Sequence, residues 1–158
     1  MKKEKRYHGV VVPMVTPVTS EGKIDVAAVE RIIANFAKHG VSPLIMGTTG
    51  EGNSVATCQG VEMISAAKRA AEGKVTIYVG LPGNCVSEQL AAAEKFIEAG
   101  ADVIAATLPC YYKLQPEQMY NYYKTMADAL TVPLMLYNID ITTHMSIPMD
   151  IIERLRHH

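Results

Sequence analysis

Pro43-Leu44-Ile45-Met46-Gly47-Thr48-Thr49-Gly50-Glu51 is the stretch from which the rest of the chain is read. Its four leading apolar residues form a short run of the kind that makes a buried strand. Two glycines then flank a pair of hydroxyl residues, which marks a tight turn. With no side-chain bulk at Gly47 and Gly50, backbone N–H groups there can approach a ligand closely. Successive N–H groups in such a turn make a concavity suited to an anion, and the Thr48 and Thr49 hydroxyls add donors. An amphipathic helical pattern begins near Thr57. The whole is one βα unit whose turn has the makings of a cradle for a small carboxylate. Taken alone, a ligand-free turn accounts for the pentapeptide better, so the rest of the chain has to decide.

Upstream, Gly9–Val15 is an unbroken apolar run, the pattern of a parallel strand buried on both faces. A turn at Ser20-Glu21-Gly22-Lys23 follows, then Asp25 as N-cap of a helix over Val26–His39, with Gly40 as its stop. Downstream, Thr57 is expected to cap a helix running to Glu72 and stopped by Gly73. Val75–Gly80 reads as the third strand. Ser87 is expected to cap an Ala-rich helix ending at Gly100, and Asp102–Thr107 is the fourth strand. A longer loop, Leu108–Gln115, leads to a helix opened by Pro116. Pro133–Tyr137 is the fifth strand, followed by a loop from Asn138 and a last helix from near Pro148.

Five βα units in succession, with no hairpin signal between them, predict an α/β fold with a parallel sheet. A doubly wound open sheet and a (β/α)8 barrel both satisfy this pattern. The loop after Val15 lacks the GxGxxG that a dinucleotide-binding sheet would carry there. Polar and aromatic residues gather after strands two, four and five, as at the loop face of a barrel.

The 158 residues are 49% apolar and 20% charged with a formal net charge of −1, which fits one globular domain and implies no nucleic-acid or membrane partner. Residues 1–8, with Lys2-Lys3-Glu4-Lys5-Arg6, read as a solvated tail, and 9–158 as the domain. No apolar h-region follows the basic start and no run is long enough to span a membrane. Cys58, Cys85 and Cys110 show neither CxxC nor metal spacing, so reduced thiols in a cytoplasmic protein are expected, with no metal.

Thr16-Pro17, Gly47-Thr48-Thr49-Gly50-Glu51, Ala99-Gly100-Ala101-Asp102, Pro109-Cys110-Tyr111-Tyr112 and Leu136-Tyr137-Asn138, at these spacings, resemble the N-acetylneuraminate lyase / dihydrodipicolinate synthase family of class I aldolases. The resemblance covers the chain from Gly9. It implies a TIM barrel whose members cleave or condense pyruvate-type 2-oxo acids through a Schiff base, without metal or organic cofactor and commonly as homo-oligomers. It places Gly47, Thr48 and Thr49 on the substrate carboxylate. It places Tyr137 in a proton relay through Thr48 to a tyrosine of a neighbouring subunit, here Tyr111, with Tyr112 as runner-up; both can equally be lid or interface aromatics. Tyr120, Tyr122 and Tyr123 read as packing residues, and Glu51 as structural rather than a general base.

Two departures modify that expectation. The family's imine-forming lysine belongs at the end of a sixth strand, beyond His158, so only about five of the eight βα units and no Schiff-base lysine are expected in these residues. Lys23 and Lys113 lie in loops and are poor substitutes. Five positions after Tyr137, where dihydrodipicolinate synthases carry an arginine for a substrate carboxylate, stands Thr142. A sugar-acid or other hydroxy-2-oxo-acid aldolase is therefore the better expectation, with Asp140 and His144 equally candidate hydroxyl contacts or solvated loop residues. The alternative is a non-catalytic 2-oxo-acid-binding or interaction protein built on the aldolase fold.

Overall fold

A computed structural model describes residues 7–158, so most of the expected tail lies outside the described residues. The elements are β1 (Val11–Pro13), α1 (Val26–Lys38), β2 (Ser42–Ile45), α2 (Thr57–Ala71), β3 (Tyr78–Leu81), α3 (Val86–Ala99), β4 (Val103–Ala106), α4 (Pro116–Ala129), β5 (Leu134–Leu136), α5 (Asp140–Thr143) and α6 (Met149–Arg156). All neighbouring strands pair in parallel, in the order β1-β2-β3-β4-β5.

That order separates the two architectures. Parallel crossovers are right-handed, so strands added always on the same side place every helix on the same face. A doubly wound sheet reverses its strand order and puts helices on both faces. Here there is no reversal, and the sheet is five strands of an incomplete (β/α)8 barrel.

Successive strand residues point to opposite faces. Ile45, Val79 and Ile104 face the helices and join Ile33, Met63, Phe96, Tyr123 and Met126 in the main core. Their neighbours Leu44, Tyr78 and Val103 form a second, smaller cluster with Ala105, against which Val11 and Tyr137 pack. This second cluster is the barrel-side layer. Every residue of β3 and β4 is buried, as continuous apolar runs predict. The outer strands differ from that expectation: β1 and β5 are only partly buried, and Met135 is 39% exposed. Among the described residues each has a pairing partner on one edge alone, and the barrel-side face beside them is uncovered.

Several local expectations are corrected. Asp25 does cap α1, with Oδ1 accepting from the Ala28 N–H at 2.9 Å. Thr57 is already the first helical residue of α2, and Gln59 Oε1 accepts from the Ala56 N–H at 3.4 Å. Likewise α3 starts after Cys85, with Ser87 inside its first turn. In both cases the hydroxyl residue has helical backbone angles, so its side chain sits too far along the helix to cap it. The loop after Asn138 contains the single turn α5. Val18 and Ile24 form an antiparallel bridge inside the β1–α1 connection. Among the described residues no helix is long and apolar enough to cross a membrane.

Asp102, at the start of β4, accepts from Lys68 Nζ at 2.6 Å and from the Ile77 N–H at 2.9 Å, tying α2 and β3 to β4. On α4, Tyr122 and Tyr123 are packing residues as expected. Tyr122 Oη lies 3.0 Å from the Thr107 carbonyl, and Tyr123 Oη donates to the Ala106 carbonyl at 3.3 Å. Burial pushes the Tyr122 phenol up to about 12 and the Tyr123 phenol further up. In the unfolded chain both ionise near pH 10, so the stability held by the neutral buried phenols is complete below about pH 10 and lost as pH rises through the folded values. Between about pH 10 and 12 Tyr122 alone accounts for a fall of about 2–3 kcal/mol, at about 1.4 kcal/mol per pH unit. Urea midpoints measured across that window should drop, and Tyr122→Phe should flatten the drop. A midpoint constant from pH 9 to 12 would refute this.

Candidate functional site

The C-terminal ends of the strands surround a cleft with about 240 Å³ of room, to which the loops after β2, β3, β4 and β5 all contribute. The turn after β2 forms one wall. It begins at Met46, whose backbone is left-handed (φ 59°) although its side chain is buried. The Gly47 carbonyl accepts from the N–H groups of Gly50 (3.1 Å) and Gly52 (3.2 Å), and the Thr48 carbonyl accepts from Glu51 N–H at 3.1 Å. These bonds coil the turn on itself and leave the N–H groups of Thr48 and Thr49 without a partner among the described residues. Thr16, at the end of the first unit's strand region, donates to the Gly50 carbonyl at 2.5 Å and anchors the turn to β1.

The turn also rests on positions that only glycine can fill. A Cβ on Gly80 would lie 2.5 Å from the Met46 carbonyl oxygen, and one on Gly52 would lie 2.0 Å from the same atom. Both conflicts are with backbone, so no rotamer relieves them.

Tyr137 also lines the cleft. Its N–H donates to the Ala106 carbonyl at 2.9 Å, which extends the β4–β5 ladder and aims the side chain to the barrel side. The ring is half-buried and the hydroxyl has no hydrogen-bond partner among the described residues. Gly47, Thr48 and Tyr137 therefore line one cleft. Thr49 is exposed and does not line it. Tyr111 and Tyr112 stand outside, 77% and 75% exposed, edge to face with ring centroids 4.8 Å apart. The fold does not bring Tyr111 to Tyr137 within this chain.

Other candidates fall away from the cleft. Lys23 pairs with Glu21 at 3.1 Å in the β1–α1 connection, and Lys113 is exposed beside Tyr112. Asp140 and His144 are exposed and outside the lining; Thr142 and Thr143 of α5 line it instead. Glu51 lines the cleft with a left-handed backbone (φ 50°) and has no side-chain hydrogen bond among the described residues. No lysine, arginine or histidine is among the lining residues.

Sequence reasoning missed the loop staples. Asn53 Oδ1 accepts from the Gly83 N–H at 3.0 Å, and Asn84 Oδ1 from the Cys110 N–H at 2.9 Å. Asn138 Oδ1 accepts from the Ile147 N–H at 3.1 Å and seats the start of α6. For Asn84 and Asn138 the signal was an asparagine two residues ahead of a helix, where side-chain amides substitute for backbone partners.

The Dihydrodipicolinate synthetase family model matches residues 6–158, which is nearly the whole chain. The chain belongs to that family. The 4-hydroxy-tetrahydrodipicolinate synthase of Salinibacter ruber is 34% identical over 148 residues, covering 93% of this chain and 49% of the relative. Among solved structures, dihydrodipicolinate synthase from Aquifex aeolicus superposes with a TM-score of 0.90 at 27% identity, over 96% of this chain and 52% of that one. The chloride-inhibited dihydrodipicolinate synthase of Acinetobacter baumannii, complexed with pyruvate, gives 0.87 at 29% identity, over 93% and 51%. The chain thus spans about half the length of the family members it matches. The segments that carry the family resemblance have visible structural work in the fold: Thr16 anchors the turn, Asp102 joins three elements, and Asn138 seats α6.

Proposed function

We propose that this chain supplies the carboxylate-binding and proton-handling side of a Schiff-base aldolase site for pyruvate-type 2-oxo acids. The observation that carries the reading is the unpartnered amide of Thr48, which lines one cleft with Tyr137, in a glycine-wedged turn whose next amide, that of Thr49 just outside the lining, is also unpartnered. Neutral N–H donors hold a carboxylate by charge-assisted hydrogen bonds without needing a cation. In this reading Gly47 allows the close approach, and Thr48 and Thr49 bind the carboxylate. Tyr137 and Thr48 pass a proton, since each hydroxyl both donates and accepts. Tyr111, projecting from the rim, completes the relay in a neighbouring copy of a cytoplasmic homo-oligomer. The imine lysine is not among the lining residues and comes from outside them.

The outer rim carries Asn53, Ser54, Asn84 and Thr142 and no cation, which suits the hydroxyls of a polyhydroxylated aldehyde better than a second carboxylate.

Titration with pyruvate, followed by amide NMR, tests the first step. Resonances of Thr48 and Thr49 should shift most, and Thr48→Val should weaken the response about tenfold, the loss of roughly one charge-assisted hydrogen bond. Borohydride with pyruvate should leave this chain without a covalent adduct. Shifts confined to other loops, or an adduct mapped to Lys23 or Lys113, would overturn the reading.

A further inference from the structure

A buried hydrogen-bond chain ties together three of the loops that form the cleft. Its centre is Gln89 on α3, which is 2% exposed and lines no part of the cleft. Burying an amide costs free energy unless its polar atoms find partners. Here both ends do. Gln89 Nε2 donates to the Gly83 carbonyl at 2.9 Å, and Gln89 Oε1 accepts from Tyr122 Oη at 3.1 Å. A carbonyl can only accept, so Gly83 fixes which end of the amide is the nitrogen.

From Gln89 the chain runs both ways into the cleft wall. Gly83 lines the cleft, and its N–H is held as well, by Asn53 Oδ1 at 3.0 Å. Both backbone polar groups of this one residue are thus gripped by side chains, one from the connection after β2 and one from α3. At the other end, Tyr122 Oη also lies 3.0 Å from the carbonyl of Thr107, another lining residue. The phenol has one proton for two acceptors, so the Gln89 amide and the Thr107 carbonyl share it. Next along β4, the Ala106 carbonyl accepts from Tyr123 Oη at 3.3 Å and from the Tyr137 N–H at 2.9 Å.

We propose that Gln89 is a positioning residue of this site: from outside the cleft it sets where the Gly83 loop and the end of β4 stand, and with them the shape of the cleft offered to a 2-oxo acid. The inference rests on the reading of the cleft given above for the identity of the ligand alone. Gln89→Met keeps an unbranched side chain of similar length but removes both polar ends. It leaves the Gly83 carbonyl without its buried donor and hands the Tyr122 proton wholly to Thr107.

Hydrogen exchange of the whole chain, read by amide NMR, tests this without ligand. The Gly83 N–H on Asn53 Oδ1 and the Cys110 N–H on Asn84 Oδ1 report the loops, and the Ile104 N–H on the Pro133 carbonyl reports the sheet. In Gln89→Met the two loop amides should exchange about tenfold faster, the loss of roughly one hydrogen bond, with Ile104 unchanged. Gln89→Glu supplies the rescue. Burial raises the pKa of the introduced carboxyl, and its hydrogen-bonded neighbour Tyr122, pushed up to about 12, stays neutral throughout. Protonated at about pH 5, the carboxyl can donate to the Gly83 carbonyl as the amide does; ionised at about pH 8, it cannot. Compared at equal pH, its loop exchange should match the wild type at the lower value and Gln89→Met at the higher. Unchanged exchange at Gly83 in Gln89→Met would overturn the proposal. So would an equal rise at Ile104, the sign of a residue that only stabilises the fold, or a Gln89→Glu chain with no pH dependence. Pyruvate titration reads the consequence for the site: half-maximal shift at Thr48 should need about fivefold more pyruvate in Gln89→Met, and an affinity equal to the wild type would also count against positioning. A wild-type chain that does not respond to pyruvate overturns the carboxylate reading instead, and the exchange comparison still decides the role of Gln89.

Discussion

Gly52→Ala is expected to destabilise the chain by about 3 kcal/mol or more, the upper range for inserting a group into a packed region. The new Cβ would lie 2.0 Å from the Met46 carbonyl oxygen and 2.7 Å from its carbon. Met46 cannot retreat, because its side chain is buried in the helix-side core and its backbone is already left-handed at φ 59°. Relief therefore requires the whole turn to move, and with it the Gly47 carbonyl that holds the Gly50 and Gly52 amides. Gly80→Ala pushes on the same carbonyl from β3, with its Cβ 2.5 Å away, and should cost somewhat less. Urea unfolding monitored by circular dichroism gives the stability, and the pyruvate-induced shift at Thr48 gives the state of the turn. Both variants should lose both. A Gly52→Ala protein with an unchanged midpoint would show that the turn is not wedged as described.

Phe96→Ala should cost about 3–5 kcal/mol, the usual range for truncating a fully buried aromatic. Phe96 is 0% exposed, and its ring edge lies against Gly60 in the first turn of α2, where an added Cβ would meet Cε1 at 2.9 Å and Cζ at 3.1 Å. Gly60→Ala alone should therefore also destabilise, despite alanine's better helix propensity of about 1 kcal/mol. Combined with Phe96→Ala the same methyl enters the space the ring has left. The double-mutant cycle should show a favourable coupling of about 1–2 kcal/mol, within the range for residues in direct contact. Strict additivity in that cycle would mean that Gly60 and Phe96 do not share the contact.

The helices were legible because their signals are local. Asp25 before an apolar stripe, Gly40 and Gly100 after one, and Pro116 ahead of another all act within a turn or so of where they stand, and the structure places Gly40 and Gly100 at positive φ. The caps at Thr57 and Ser87 were misjudged by one or two residues because a hydroxyl's capping value depends on backbone angles that the letters do not specify. The close approach of the Phe96 ring, thirty-six residues away, accounts for a glycine at position 60 in the first turn of α2. The cleft-lining residues Gly47 and Thr48 were legible from the composition of their turn. Their junction with Tyr137 was not, since ninety residues separate them and only the parallel register of β2 to β5 brings both to one cleft.

By itself the sequence determined five βα units, a glycine-flanked turn after the second strand, and a family resemblance that the family match then bore out. Only the tertiary structure decided how those units wind and what the turn rests on. Winding depends on which strand edges pair, and a strand buried on both faces has the same apolar pattern whether its sheet reverses or keeps turning. The support of the turn depends on contacts across the sheet, where Gly52 and Gly80 matter for the atoms they lack, and an absent side chain carries no periodic signal until the backbone pressed against it is in place.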